Sequence, residues 1–322
     1  MATNILIHRH IGGAMWRRTN VEFSSGGRGE RCLGWLYEPA GDGPFPVIVM
    51  AHGLGGIKEM RLDAFAERFC DAGYACLVFD YRNFGASEGA PRQLLDIGQQ
   101  LEDWSSAIAF ARLQPSLMRS KVVLWGTSFG GGHVIASAAR DQAVAAAIAQ
   151  CPFTDGIASA LAMDLRSSFK VTAMAMADML RGLVGMPPLM VATSGPPHSA
   201  ALMTAPDAHG GYLALVPSGV SFRNHVAARF ALNILRYRPG RRAAKVSCPI
   251  LFCICETDSV APPGPTQRYA TKAPHGEIRL YREGHFDIYV GEAFERVVAD
   301  QLDFLKRHVP VKGRAMSKKE TA

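Results

Sequence analysis

Short, uninterrupted apolar segments recur along this 322-residue chain, and they restrict its fold more than any other feature. A strand that is apolar along its whole length has to be buried on both faces, which is typical of parallel sheets covered by helices. Between these segments lie stretches whose apolar residues recur with helical spacing. The predicted strands of this kind are residues 47–51, 75–79, 121–125, 145–150, 249–255 and 276–281.

The segments between the strands complete an α/β pattern. A hairpin is predicted ahead of the parallel strands, with strands at 21–25 and 31–38 joined by a glycine-rich turn. Strands that alternate with helices at this spacing predict a mostly parallel, twisted sheet with helices on both faces. The predicted helices are residues 62–72, 94–113, 131–139, 265–273 and 293–308.

This alternation stops in one region, which we interpret as an inserted cap. Helical stretches at 157–183 and 221–234 surround a middle rich in proline and glycine. We therefore expect a mainly helical insertion at a loop of the sheet. The predicted organisation is a loose N-terminal extension (1–18), an α/β core (19–154 and 241–310), a cap (155–240) and a basic tail (311–322).

Composition excludes several classes of function. The net charge is +7, but the basic residues form no stripe interleaved with aromatic residues, so we expect no nucleic-acid partner. The seven cysteines are scattered, which indicates no disulfide framework, no zinc motif and a reducing, cytoplasmic compartment. The N-terminus does not resemble a signal peptide, and prolines interrupt the charge-free run 182–206. We expect no stable membrane insertion, no cofactor and no metal.

Residues 122–133 read VVLWGTSFGGGH and contain a G-x-S-x-G sequence. A strand leads into it and a run of small residues with helical character leads out, which is the context of a nucleophile elbow. Because the turn is tight, the positions two before and two after the serine have to be small, and here they are Gly126 and Gly130. The pattern predicts that Ser128 is a nucleophile.

Polar residues that could activate Ser128 follow two later strands. Asp258 comes after strand 249–255, and His285 comes after strand 276–281. In open α/β sheets, functional groups gather at the carboxyl ends of the strands. A nucleophilic serine needs a base, and the base needs a carboxylate that orients it. The chain order serine, acid, histidine is the one expected for this architecture. We predict a catalytic triad of Ser128, Asp258 and His285.

Five motifs stand out: HGLGG (52–56), DYRNFGASEG (80–89), GTSFGG (126–131), ETDSVAPP (256–263) and GHFDIY (284–289). With these motifs, the chain resembles the α/β-hydrolase superfamily over residues 20 to 309. In detail it is similar to bacterial serine-aminopeptidase-like and dienelactone-hydrolase-like hydrolases. Two departures stand out: dienelactone hydrolases use a cysteine where this chain has Ser128, and Asn83 replaces a glycine of the second motif.

The predicted reaction is hydrolysis of apolar or moderately sized carboxylic esters through an acyl-enzyme. The backbone N–H groups of Leu54 and Phe129 are expected to form the oxyanion hole. The alternatives are an amide or peptide hydrolase, an acyltransferase and, from another class, a non-catalytic binding protein on the same fold. The expected partner is a small-molecule ester.

Several polar residues near the motifs are predicted to be structural. His52 should order the oxyanion loop, and Asp80 should brace a loop rather than serve as the catalytic acid. Asp287 should shape the loop that carries His285, and His133 should be a packing or cap-facing residue. The alternatives are a catalytic base for His52 and a catalytic acid for Asp80. Glu256, which is closer to the end of its strand than Asp258, is a weaker rival acid.

Methionine is concentrated in the predicted cap, where seven of the 13 methionines fall between residues 163 and 203. Because methionine adapts to varied apolar shapes, Met174, Met179, Met186 and Met190 are predicted to line an acyl pocket under a mobile lid. The alternative is that these methionines pack the cap onto the body or onto the second subunit of a homodimer.

Overall fold

The computed structural model describes residues 5–9 and 15–311. The strands of this part are β1 Ile5–Arg9, β2 Met15–Ser25, β3 Glu30–Pro39, β4 Phe45–Ala51, β5 Ala75–Phe79, β6 Leu117–Thr127, β7 Ala146–Gln150, β8 Met190–Ser194, β9 Ala201–Met203, β10 His225–Ala227, β11 Ile250–Cys255 and β12 Gly276–Tyr281. The α-helices are α1 Leu62–Asp71, α2 Ile97–Leu113, α3 Phe129–Ala138, α4 Gly156–Ala162, α5 Leu165–Leu183, α6 Ala208–Ala214, α7 Ala231–Ile234, α8 Pro263–Ala270 and α9 Gly291–His308. Short 3₁₀ helices occupy Ala228–Phe230, Pro239–Lys245 and Asp287–Tyr289.

The main sheet has nine strands within the described residues, in the order β1-β2-β3-β5-β4-β6-β7-β11-β12. The pairs from β5 to β12 are parallel, whereas β1, β2 and β3 form an antiparallel edge. The predicted fold class, an α/β-hydrolase fold built on a mostly parallel sheet, is therefore confirmed. All parallel strands end at the same edge of the sheet, which brings the loops after them together.

The core lies around the central strands. Residues 46–51 of β4 and all of β5, β7 and β11 are buried, as their continuous apolar sequences predict. Trp104 of α2 and Trp125 of β6 are fully buried among them. Each large apolar side chain buried in this way contributes about 1.5–3 kcal/mol to stability, so the ends of these strands are anchored in the buried core.

The N-terminal edge of the sheet corrects one prediction. Residues 5–9 form β1 and pair with β2, which itself begins at Met15 rather than at the predicted residue 21. This part of the chain therefore belongs to the sheet and is not a loose extension. Its polar residues suit an edge pair of antiparallel strands, which lacks the continuous apolar signal of the central strands. Residues 1–4 and 10–14 and the predicted tail from residue 312 lie outside the described residues.

The predicted cap region contains helices α4 to α7 and a three-stranded sheet in the order β10-β8-β9. That sheet was not predicted, and the expected helix over 221–234 is wrong for its first half, which includes β10. Strands of three to five residues are too short to show a period. The expected helical stretch 157–183 is divided at Asp164, whose carboxylate accepts hydrogen bonds from the N–H groups of Arg166 and Ser167 and starts α5.

Helix α5 is attached to the rest of the cap by one buried ion pair. The Asp178 carboxylate is fully buried and accepts hydrogen bonds from Arg229 Nε at 2.8 Å and Nη2 at 2.9 Å. It also accepts from the backbone N–H groups of Leu189 and Arg229. Burial disfavours the charged carboxylate, but these bonds outweigh it and hold the pKa of Asp178 below its usual range.

None of the helices within residues 5–9 and 15–311 is long and apolar enough to cross a membrane.

The asparagine at position 83, where the resembled family has a glycine, has a local structural explanation. Asn83 adopts a φ of 71°, a conformation that favours glycine, and its amide donates hydrogen bonds to the Leu94 carbonyl and to Gln99. Asparagine tolerates this conformation better than most residues.

Replacing Asp178 should destabilise the cap strongly. In Asp178→Ala, Arg229 loses its partner and two backbone N–H groups lose their acceptor, so we expect the free energy of unfolding to fall by about 3 kcal/mol. Chemical denaturation at neutral pH measures it. Because the folded-state pKa is lowered, the stabilisation is present above the unfolded pKa of about 4 and is lost as the pH falls below it.

The matched control is Asp303→Ala, which removes an exposed ion pair with Arg307 at 3.1 Å on α9. Exposed pairs contribute about 0–1 kcal/mol, so this variant should remain close to the parent protein. Equal losses in the two variants would contradict the role assigned to Asp178.

Candidate active site

The turn between β6 and α3 places Ser128 at its tip. Ser128 has φ 55° and ψ −122°, a backbone conformation that residues other than glycine rarely adopt. A Cβ on Gly130 would lie 2.5 Å from the His52 carbonyl oxygen, and one on Gly126 would overlap the Gly130 carbonyl. Both positions therefore need glycine, as the sequence indicated. The side chain of Ser128 is half-buried and lines a cavity.

The structure brings Ser128, Asp258 and His285 together. His285 Nε2 lies 3.0 Å from Ser128 Oγ, and His285 Nδ1 lies 2.7 Å from Asp258 Oδ2. The side chains of His285 and Asp258 are almost completely buried. This arrangement has the geometry in which an imidazole removes a hydroxyl proton while a carboxylate orients the ring.

Hydrogen bonds to backbone N–H groups hold Asp258 and the loop of His285 in place. Asp258 Oδ1 accepts hydrogen bonds from the N–H groups of Val260 and Ala261, at 2.8 and 2.7 Å, which leaves Oδ2 for the imidazole. His285 then donates through Nδ1 to Asp258, so Nε2 is the nitrogen that accepts from Ser128. Asp287 accepts from the Gly284 N–H at 2.9 Å, so it shapes the histidine loop as predicted.

Leu54 and Phe129, the residues predicted to form the oxyanion hole, lie beside Ser128. Both line the same cavity as Ser128. Phe129 is the first residue of α3, so its N–H has no partner within the helix and lies at the positive end of the helix dipole. The Leu54 carbonyl accepts a hydrogen bond from the Tyr212 hydroxyl of α6 at 2.8 Å, which ties the loop to the cap.

The other candidate residues are engaged within the protein, as predicted. His52 accepts from the Gly53 N–H through Nδ1 and contacts the Met60 carbonyl through Nε2, and burial lowers its pKa to about 4. Asp80 binds both the backbone N–H and the ammonium group of Lys58. Both residues therefore fix the loop that carries Leu54. His133 is buried between Tyr237 and Gln100, and burial lowers its pKa to about 3.

Sequence reasoning missed a buried polar contact behind the site. The hydroxyls of Thr127 and Tyr289 share a short hydrogen bond, and both side chains are buried. Thr127 directly precedes the nucleophile, and Tyr289 ends the 3₁₀ helix that follows His285. The Tyr289 ring also stacks on His52, with ring centroids 6.3 Å apart. One tyrosine thus contacts the elbow and the oxyanion loop from the segment after His285.

A mostly apolar cavity of about 630 Å³ lies beside Ser128 and is lined largely by cap residues. Met174, Met179, Met186 and Met190 are absent from its lining, so the prediction that they line the acyl pocket is corrected. Met179 and Met186 are exposed on the outside of the cap. The methionines that do line the cavity are Met163 and Met203, together with Leu54, Phe129, Phe153, Val171, Leu202, Ile234 and Val260.

One group of side chains at the site could hold a metal ion by distance alone. Cys151, Asp258 and His285 offer ligand atoms that lie within 4.8 Å of one another. Burial raises the pKa of the Cys151 thiol to about 12, so the thiol stays protonated at neutral pH. A metal here would also have to replace the hydrogen bond between His285 and Asp258. The donor set therefore fits a proton-transfer site better than a metal site.

A family model and several known proteins match this chain over most of its length. Residues 42–290 match the model of the family described as serine aminopeptidase, S33. The chain is 57% identical to the quorum-quenching protein AidA of Acinetobacter baumannii, over 91% of this chain and 96% of the relative. It is 30% identical to the polyketide transferase grgF of a Penicillium species, over 91% and 97% of the two chains. A crystal structure of the α/β hydrolase GrgF from Penicillium sp. sh18 has a TM-score of 0.77 at 27% identity, covering 91% of this chain and 99% of its own.

The contact between Tyr289 and Thr127 should affect turnover rather than substrate binding. In Tyr289→Phe, we expect kcat of ester hydrolysis to fall about fivefold, which corresponds to the roughly 1 kcal/mol of one buried hydrogen bond. KM should stay unchanged because Tyr289 does not line the main cavity. Steady-state kinetics with a soluble ester measures both constants.

Tyr281→Phe is the control, since its hydroxyl binds Asp300 at 2.8 Å, between β12 and α9 and away from the elbow. It should lower the stability to a similar degree and leave kcat unchanged. A purely structural role for Tyr289 would make the two variants indistinguishable in kcat.

Proposed function

The chain belongs to the serine aminopeptidase, S33 family of α/β hydrolases, and from this premise we propose that it is a serine hydrolase that cleaves carboxylic esters. The observation that carries the proposal is the contact of 3.0 Å between Ser128 Oγ and His285 Nε2, with Asp258 on the other ring nitrogen. A binding protein on this fold has no need for that arrangement.

The proposed mechanism proceeds through an acyl-enzyme. Ser128 Oγ attacks the acyl carbonyl carbon while His285 Nε2 accepts its proton, and Asp258 stabilises the imidazolium that forms. The backbone N–H groups of Leu54 and Phe129 bind the oxyanion. When the tetrahedral intermediate collapses, His285 gives the proton to the departing alcohol. Water then attacks the acyl-enzyme by the same steps and releases the acid.

The proposed substrates carry an apolar acyl group. The apolar cavity of about 630 Å³ beside Ser128 has the size of a site for a small organic molecule. The relative with 57% identity is named a quorum-quenching protein, and a hydrolase can inactivate a signal that carries an ester, cyclic ester or amide bond. We therefore propose that an acylated signal molecule with such a bond is among the substrates.

Acyl transfer is the second candidate, favoured by the relative named polyketide transferase. It uses the same acyl-enzyme, with an acceptor other than water. Cleavage of peptides has less support. An aminopeptidase needs a carboxylate available for the terminal amine of its substrate, and the cavity residue Asp164 is already bound by His198 at 2.9 Å and by Thr204 at 3.2 Å.

Labelling and turnover test the proposal together. A fluorophosphonate should label the native protein and not Ser128→Ala. Ser128→Ala should hydrolyse p-nitrophenyl esters at least about 10,000-fold more slowly, because members of such a triad act as one unit. Across esters of increasing acyl length, kcat/KM should rise while the chain fits the apolar cavity and fall when it does not.

The panel also separates the alternatives, because it includes N-acyl lactones, aminoacyl amides and an added alcohol acceptor. Transfer to the alcohol in preference to water would favour the acyltransferase. A variant Ser128→Ala that kept full activity, or a native protein without labelling, would contradict the serine mechanism. Ser137→Ala on the same helix as the elbow is the matched serine control and should keep its labelling.

A further inference from the structure

The outer face of α5 carries a line of large apolar side chains that none of the described residues covers. We call this line the apolar stripe: Leu165, Phe169, Met176, Leu180 and Leu183. Their spacing of 4, 7, 4 and 3 residues places them on one side of a helix. Leu165 is 87% exposed, and Phe169 and Leu183 are each 78% exposed. A helix of a globular protein usually turns such a stripe towards the core.

The exposed apolar surface is concentrated in this part of the cap. Fifteen large apolar side chains are exposed in the part of the chain that the structure describes, and ten of them lie between residues 157 and 186. The ten include Leu161 of α4 at 81% and Val184 after α5 at 72%. Monomeric proteins rarely leave contiguous apolar patches of this kind, and patches like it commonly mark an interaction site.

The charges beside the apolar stripe are positive. Arg166, Lys170 and Arg181 lie along one flank of α5. The carboxylates between residues 156 and 206 are Asp164 and Asp178, and both are engaged. Asp178 is buried against Arg229, and Asp164 binds His198 and the first N–H groups of α5. The outer surface of the helix is therefore apolar and cationic.

The apolar stripe borders the cavity that contains Ser128. Asp164, which caps α5, and Ser168 and Thr172 of α5 line that cavity, and Leu165 and Phe169 each follow one of these residues directly in sequence. The first turns of α5 thus contribute both to the wall of the cavity and to the apolar stripe on the outer surface. Whatever covers the apolar stripe comes to lie close to the cavity.

We propose that the cap docks on an anionic lipid surface through the apolar stripe of α5. Apolar side chains flanked by lysine and arginine on one helix are the combination that binds the interface of anionic membranes. Each cation near such a surface adds to the affinity. This is attachment at the surface and not insertion of a spanning helix. It does not depend on the proposed reaction.

Charge favours lipid over a second copy of the chain as the occupant. In a twofold contact, each copy presents the same surface to the other. In an antiparallel pairing of two apolar stripes, the cationic flanks lie on the same side of the contact and face each other, and α5 has no unengaged carboxylate to pair with them. An anionic bilayer supplies the missing negative charge.

Vesicle sedimentation of the full chain tests the proposal. The native protein should bind vesicles of equal parts phosphatidylcholine and phosphatidylglycerol, and bind vesicles of phosphatidylcholine alone at least about tenfold more weakly. Binding should weaken as the salt concentration rises from about 0.1 M to about 1 M, because the Debye length falls from about 10 Å to about 3 Å. The double variant Leu165→Ser with Phe169→Ser should lose at least about tenfold in partitioning. Arg166→Gln with Lys170→Gln should lose roughly tenfold on the anionic vesicles only.

Leu113→Ser is the matched control, since Leu113 is 75% exposed at the end of α2 and lies outside the cap. It should bind vesicles like the native protein. The double serine variant should keep its hydrolysis of a short soluble ester, because neither residue lines the cavity. Equal binding to both kinds of vesicle, or no binding, would overturn the proposal. So would a dimer in sedimentation velocity that the double serine variant converts to a monomer, because the apolar stripe would then be a contact between copies.

Discussion

The candidate site depends on the backbone of Ser128, which adopts a conformation that costs about 1–3 kcal/mol for a residue other than glycine. Three hydrogen bonds hold it. The Ser128 N–H donates to the Gln150 carbonyl at 2.9 Å, and the Ser128 carbonyl accepts from the N–H groups of Gly132 and Phe153. Since Gln150 is the last residue of β7, the turn is held by the parallel pairing of β6 with β7. The strained turn therefore exists only because the sheet next to it is formed correctly.

A line of buried side-chain hydrogen bonds supports the same turn from behind. Trp125 donates to Gln301, Gln301 donates to Gln150, and Gln150 donates to Thr127, which binds Tyr289. A polar line through an apolar core is stable only when each member has its partner, because an unpaired buried polar group is costly. The line runs from α9 across two strands to the loop of His285. It makes loops that would otherwise move independently depend on one another.

The sequence predicted the catalytic candidates better than it predicted what supports them. Ser128, Asp258 and His285 each follow a buried apolar strand, and in a parallel sheet a position after a strand is also a position in space. The bond between Thr127 and Tyr289 joins residues 162 positions apart, with no pattern in either neighbourhood to indicate it. The edge strand β1 and the short strands β8 to β10 were not predicted for a related reason. They are too short or too polar to show a hydrophobic period.

In the cap, amino-acid composition did not indicate which side of each helix faces inward. Its many methionines indicated an apolar pocket, but composition does not say which side of a helix faces inward. In α5 the buried face carries Ser167, Val171, Ala175 and Asp178, most of them small, so that the helix lies close to its neighbours. The large apolar residues recur with the same period on the opposite face, so periodicity alone fits either orientation. The ion pair between Asp178 and Arg229 decides between them, because a buried carboxylate has to face its partner. Because Asp178 faces inward, the largest apolar side chains of α5 lie on its outer face, which is the reverse of an ordinary surface helix.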